Sequence, residues 1–235
     1  MLIAPRLVRL VLSGAQLDVF DDDAGRHPAV ASTGFDDVVL LFFPQPGSER
    51  IALPKVSADG GFERPLDTDV IFREYTVRRL DATGLVVDIV LHDVGVASDW
   101  ARRAESGMFV GAVGPRVSRA LPCTPKILAI GDSAALPALS RLGESLPRDA
   151  EGDIVLIDGG PGLEIPLAAP TRVNVVRVRE AVDARRVLPG LDIDANRTYA
   201  WLAGESGLVT SLRSYLRNEC GFARDRIQFT GYWRT

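Results

Sequence analysis

Histidine and cysteine are scarce in this chain, and long apolar runs are missing. Its 235 residues hold two histidines, His27 and His92, and two cysteines, Cys123 and Cys220. These four side chains lie far apart in sequence, so neither a structural zinc site nor a disulfide framework is expected. A membrane-spanning helix needs about 18 consecutive apolar residues, and the longest candidate, Val38 to Phe43, is only strand-sized. The first twelve residues carry Arg6 and Arg9 inside their apolar stretch. That is not the layout of a signal peptide, and a cytoplasmic protein is expected. A basic excess is missing as well: the net charge is −4. Nucleic acid is therefore not the expected partner, because phosphate neutralisation requires a basic face. Small molecules and proteins remain.

What is present reads as two halves. Hydrophobic residues make up 46% and charged residues 25%, enough for two compact units of roughly 110–120 residues each. Up to about residue 120 the pattern is of short strands. Arg6 to Leu12 alternates, Val38 to Phe43 stops at Pro44-Gln45-Pro46-Gly47, and Val70 to Leu80 and Leu85 to His92 are joined by a turn in which Gly84 supplies a positive φ. Ala97 to Ala104 is the expected helix, and Phe109 to Val113 a further strand. Short strands with Gly and Pro punctuation predict a small antiparallel barrel.

From about residue 121 strands and helices alternate. Strands are expected at Lys126 to Ile130, Asp153 to Ile157, Arg172 to Val178, Thr198 to Ala203 and Ile227 to Phe229. Helices are expected at Ala134 to Leu146 and Ala181 to Val187, and after Gly204. In the last of these Leu208, Val209, Leu212, Tyr215 and Leu216 share one face, and Gly221 stands where a C-cap belongs. Such alternation predicts an α/β domain with a parallel sheet. The boundary is expected near Ala120 to Pro125, giving domains 1–120 and 121–235.

One segment carries candidate chemistry above the others. In a strand over Arg73-Glu74-Tyr75-Thr76-Val77-Arg78, residues Arg73, Tyr75 and Val77 share one face and Glu74, Thr76 and Arg78 the other. Tyrosine offers a flat π surface, threonine a hydroxyl at a ring edge, and arginine a planar fork for phosphate. An ordinary strand with its aromatic on the core and its arginines in water is the competing reading. In the second half, Gly131-Asp132-Ser133 and Gly204-Glu205-Ser206 each follow a strand and precede a helix. The carboxyl ends of parallel strands are where open α/β sheets bind ligands.

These segments resemble the flavin-dependent ferric-siderophore reductases, the siderophore-interacting protein family. Arg73-x-Tyr75-Thr76-x-Arg78 is similar to the flavin fingerprint of ferredoxin-reductase-like barrels. Further blocks follow in the family's order: Leu91-His92 with Gly95-Val96-Ala97-Ser98-Asp99-Trp100-Ala101, Gly114-Pro115-Arg116, Gly131-Asp132-Ser133-Ala134, Trp201-Leu202-Ala203-Gly204-Glu205, and Gly231-Tyr232-Trp233-Arg234. The resemblance implies a flavin-binding, ferredoxin-reductase-like antiparallel barrel followed by a nicotinamide-binding α/β domain. It implies that Arg73, Tyr75 and Thr76 hold FAD, and that His92 and the helix opening at Ala97 and Ser98 complete the phosphate site. Asp132, Gly204 and Glu205 would line the NAD(P)H crevice. Electrons would then pass from NAD(P)H through FAD to Fe(III) in a siderophore, with reduced ferredoxin as another conceivable donor. Arg50, Lys55, Arg64 and Arg234 are candidates for a basic mouth that receives an anionic chelate.

The match has departures. The family's GDET stands here as Gly131-Asp132-Ser133-Ala134, its GPRG ends in Val117, and its LHG ends in Asp93. Two further readings therefore stay open. One is an enzyme on the same fold with a cleft repurposed for another small molecule, for example in secondary metabolism, with Glu74, Asp132 and Glu205 as acid–base candidates. The other is a binding module for a chelate or a protein. A Gly-Asp-Ser hydrolase is set aside because no histidine base follows His92. Gly159-Gly160-Pro161-Gly162 lacks both the third glycine and the following helix of a dinucleotide fingerprint, so it is read as a loop.

Overall fold

The computed structural model describes residues 1–22, 25–45, 47–48, 50–56, 62–63, 70–115, 120–121, 124 and 126–234. The chain divides into two compact units, Met1–Arg119 and Ala120–Thr235.

The first unit is built from strands β1 (Leu2–Ala4), β2 (Leu7–Leu12), β3 (Phe20–Asp22), β4 (Gly25–His27), β5 (Val38–Phe43), β6 (Lys55–Val56), β7 (Phe62–Glu63), β8 (Ile71–Asp81) and β9 (Gly84–Val90). Helix α1 (Val96–Arg103) and strand β10 (Gly111–Val113) follow. Six of these strands form one barrel-like sheet in the order β1-β2-β9-β8-β5-β10, antiparallel at every pairing. The alternation seen in the sequence produces its core. Val8 and Leu10 of β2, Val39, Leu41 and Phe43 of β5, and Leu85, Val87 and Ile89 of β9 face one buried cluster, onto which α1 lays Ala97, Trp100 and Ala101. The turn between β8 and β9 holds Gly84 at φ +124°, as its expected role requires.

Strand β8 does not keep one face throughout. Val77 pairs with Val87 but Arg79 pairs with Val86, so an extra residue is accommodated between them. This bulge changes which residues point inward: Tyr75 and Val77 face the core before it, and Leu80 faces the core after it. On the other face Asp88, 3% exposed, receives both a 2.7 Å bond from Arg9 Nε and a 2.7 Å bond from Arg9 Nη2, while Arg78 Nε lies 3.8 Å away. Arg78, the last residue of the candidate motif, thus stands beside a buried carboxylate of its own sheet.

The second unit contains β11 (Lys126–Asp132), α2 (Leu136–Ser145), β12 (Glu151–Ile157), β13 (Arg172–Val178), α3 (Ala181–Val187), β14 (Thr198–Glu205), α4 (Ser206–Asn218) and β15 (Ile227–Trp233). All five strands are parallel, in the order β13-β12-β11-β14-β15. The apolar stripe of α4 does what its spacing predicts: Val209, Leu212 and Leu216 are buried, with Leu208 and Tyr215 packed beside them. Past the helix the Phe222 N–H reaches the Leu216 carbonyl at 3.0 Å, and Gly221 at φ +78° turns the chain away from the helix axis. The structure extends β14 by two residues and β15 by four beyond their expected ends, because parallel pairing runs on through Gly204 and Gly231. Of the residues weighed from sequence, Arg64, Arg116, Val117, Pro122, Cys123 and Pro125 lie outside the described residues, as does the side chain of Lys55.

Removing the carboxylate at Asp88 would leave two guanidinium groups beside a site built for its charge. Asp88→Ala is expected to cost about 3 kcal/mol, read as a lower midpoint in urea denaturation of the purified protein.

Candidate functional site

Within the first unit, the residues of interest gather at one end of the sheet. Strand β8 runs antiparallel to both β5 and β9, so it starts where they finish. Arg73 and Tyr75 sit in its first half, and His92 lies just beyond β9. Tyr75 is half-buried, edge-on to Phe43 with ring centroids 6.5 Å apart. Burial pushes its phenol up to about 12, partly opposed by the neighbouring Arg73 charge. Arg73 is exposed, donating from Nη1 to the Phe72 carbonyl at 2.7 Å, and pairs with no carboxylate among the described residues. Thr76 is buried on the opposite face, level with Val38 of β5, and Glu74 is exposed.

The stretch from β9 into α1 is held by its own atoms. The Ser98 hydroxyl accepts the His92 backbone N–H at 3.0 Å, and Arg102 Nη2 donates to the His92 carbonyl at 2.5 Å. Ala97 and Ser98 are buried and the His92 side chain is exposed. Gly95 stands at the N-cap and no side chain caps the helix, so its first N–H groups remain available to an anion. Among the described residues the indole Nε1 of buried Trp100 has no hydrogen-bond partner. A half-open aromatic face, a guanidinium with no carboxylate partner among the described residues and an uncapped helix start together fit a planar ring that carries a diphosphate, as the implied FAD does.

In the second unit three sequence blocks converge on one carboxylate. Asp132 Oδ1 accepts the Ala134 N–H at 2.9 Å. Its Oδ2 accepts the Glu205 N–H at 2.7 Å and the Trp233 indole Nε1–H at 2.8 Å. Burial pushes the Asp132 carboxyl above its usual range, while the bonds from Trp233, Glu205, Ala134 and Ala135 pull it back. Gly204, at φ +138°, has no room for a side chain, since a Cβ there would lie 2.5 Å from the Asp132 carboxylate. Glu205 in turn caps α4, accepting the Leu208 N–H at 2.8 Å. The Ser206 hydroxyl donates to the Trp233 carbonyl at 2.9 Å. Asp132, Gly204 and Glu205 are therefore brought together at the carboxyl ends of β11 and β14, as their sequence positions require, but their polar atoms already serve the fold. Trp233 had no assigned role in the sequence. Its signal lay in the Gly231-Tyr232-Trp233 block itself, a glycine followed by an aromatic donor at the end of the last strand.

The remaining candidates are dispersed. Arg50 and Arg234 are exposed, each in a different unit. Among the described residues no cluster of three or more His, Cys, Asp or Glu side chains could hold a metal, and no helix is long and apolar enough to cross a membrane.

Two measurements follow from this geometry. The raised phenol of Tyr75 favours the folded state fully below pH 10, and that contribution is lost as the pH climbs from 10 to about 12. Subtracting the 295 nm titration of Tyr75→Phe from that of the parent protein should therefore yield a tyrosinate near pH 12, and Arg73→Gln should move it higher. Asp132→Asn turns an NH2 toward N–H donors and is expected to cost about 2 kcal/mol, with a change in Trp233 fluorescence that a surface Asp→Asn would not produce.

The sequence relationships are consistent across both units. A family model described as the siderophore-interacting FAD-binding domain matches residues 1–119, and one described as siderophore-interacting protein matches residues 124–235. The chain is similar to the ferric vibriobactin reductase of Vibrio cholerae, 30% identical over 249 residues that cover 99% of this chain and 85% of the relative. It is similar to an NADPH-dependent ferric-chelate reductase of Escherichia coli, 30% identical over 233 residues, covering 96% and 86%. Among solved structures, a siderophore utilization protein from T. fusca superposes with a TM-score of 0.86 at 31% identity, covering 99% of this chain and 88% of that one. The chain belongs to the siderophore-interacting protein family.

Proposed function

We propose that this protein reduces the iron of ferric siderophores, using FAD held by its first unit and a nicotinamide donor received by its second. The observation that carries the reading is the combination at one end of the barrel-like sheet: exposed Arg73 without a carboxylate partner, half-open Tyr75, and the uncapped start of α1. FAD, when bound, accepts two electrons from a nicotinamide and passes them singly to chelated Fe(III), the substrate.

The chain's own part is binding and placement. Arg73 would hold the diphosphate with its guanidinium fork, and the first N–H groups of α1 would share that charge. Tyr75, fixed edge-on by Phe43, would set the plane of the ring and stay protonated across the physiological range. Thr76 would offer its hydroxyl to a polar ring edge. His92 and Ser98 would keep the β9–α1 turn in shape through the bond between them. In the second unit the Asp132 network would hold the ends of β11, β14 and β15 at fixed positions, so that the crevice above them keeps one form. Acid–base work by Asp132 or Glu205 is disfavoured, because each already accepts backbone N–H groups that would be left unpaired.

The deciding experiment is a spectrum followed by a reduction assay. Purified protein given FAD should turn yellow and quench flavin fluorescence, and Arg73→Ala should weaken that uptake at least ten-fold. NADPH or NADH should then bleach it, and added ferric siderophore should restore the colour while an Fe(II) chelator reports iron release. Failure to take up flavin sinks the proposal. A yellow protein indifferent to both nucleotides supports a repurposed cleft instead.

A further inference from the structure

The amino ends of the second unit's strands hold charge where strand alternation would place apolar side chains. Leu128 and Ile130 of β11 and Val155 and Ile157 of β12 face one buried cluster. Going backward by twos on that face reaches Lys126 on β11, and Asp153 and then Glu151 on β12. With Arg172 and Asn174 of β13, and Asp192 beyond the short turn at Leu188–Gly190, these residues wall a cleft of about 400 Å³. That volume is in the range of small-molecule sites, roughly 300–1,000 Å³. Lys126, Glu151 and Arg172 open their strands, so the cleft lies about six residue steps, roughly 20 Å, from the crevice at Asp132.

Pairing within the cleft leaves one acid over. Lys126, 7% exposed, donates from Nζ to Asp192 Oδ2 at 2.5 Å. Arg172 pairs through Nη2 with Glu151 Oε1. Each cation thus has a carboxylate of its own. Asp153 is 5% exposed, and the neutral amide Nδ2 of Asn174 donates to its Oδ1 at 3.2 Å. Among the described residues nothing donates to Asp153 Oδ2, and no cation pairs with this carboxylate. A buried carboxylate is ordinarily matched by a cation or by several N–H donors. Asp132, at the far end of the same sheet, gathers donors from three segments. Asp153 lacks such a set.

The chemistry of the missing partner follows from these walls. It carries positive charge, because three carboxylates stand against two cations that are already paired. It presents N–H donors, because one open carboxylate oxygen suits a charge-assisted hydrogen bond. A metal ion takes several oxygens at once, and among the described residues no group of three His, Cys, Asp or Glu is placed to hold one. We propose that this cleft binds a small organic cation, an ammonium or guanidinium group on a short chain, whose N–H groups donate to Asp153 Oδ2. The site goes beyond the flavin and nicotinamide reading and takes a ligand of charge opposite to theirs.

Isothermal titration calorimetry of the full chain with 1,4-diaminobutane and with agmatine, at fixed ionic strength, tests this, with succinate as the anionic control. At least one of the two cations should bind one-to-one and raise the melting temperature, and succinate should do neither. Asp153→Asn keeps the shape, removes the charge and should weaken that cation at least ten-fold. Asn174→Lys acts from an exposed position directly across the strand pair and supplies an ammonium in the ligand's place. It should abolish binding and by itself raise the melting temperature above the parent's. A parent protein that takes up neither cation overturns the assignment, as does Asp153→Asn that binds as tightly as the parent. Asn174→Lys that keeps the parent's melting temperature and affinity overturns it too. None of these readouts depends on bound flavin, so failure here leaves the reductase reading standing.

Discussion

Asp132 is a carboxylate removed from free water, and the second unit is organised around making that tolerable. N–H groups from the helical turn after β11, from the end of β14 and from the indole at the end of β15 converge on its two oxygens. An unpaired buried charge would cost several kcal/mol, so these donors cannot be dispersed without unfavourable consequences for the sheet ends. The same convergence dictates glycine at position 204, where the carboxylate occupies the volume a side chain would need. The glycine at 204 and the indole of Trp233 thus both answer to one acid.

The first unit solves a different problem. Its sheet must be closed on one face while one strand, β8, contributes both to the core and to the open surface. The bulge after Val77 does this by dividing β8 into two functional lengths. Before it, Tyr75 leans on Phe43 yet keeps part of its ring open. After it, Leu80 returns the strand to the core.

Much of this was legible in the residues. The switch from short punctuated strands to strand–helix alternation identified both architectures, and the 3.6-residue spacing of Val209, Leu212 and Leu216 identified the buried face of α4. Other features were not legible, for physical reasons. The short strands β1, β3, β4, β6 and β7 are two or three residues long, too brief for any periodicity. The bulge in β8 carries no marker residue, and Arg78 shares its type with Arg73 although only pairing across the sheet assigns it to Asp88. At the site, residue type suggested which side chains to weigh, whereas Asp132 and Glu205 showed their structural work only once partners remote in sequence were in place. The Asp132–Trp233 bond joins residues 101 positions apart.

That separation bears on how the protein is made. The Arg9–Asp88 pair also bridges 79 positions, joining β2 to β9. Each unit is therefore secured in part by residues far apart in sequence. During synthesis the early strands emerge well before their partners, and long-range pairing is slow because loop closure precedes any gain from contact. For the second unit the indole donor Trp233 lies 101 positions after Asp132, so a nascent chain holds that acid without its third donor until β15 has emerged.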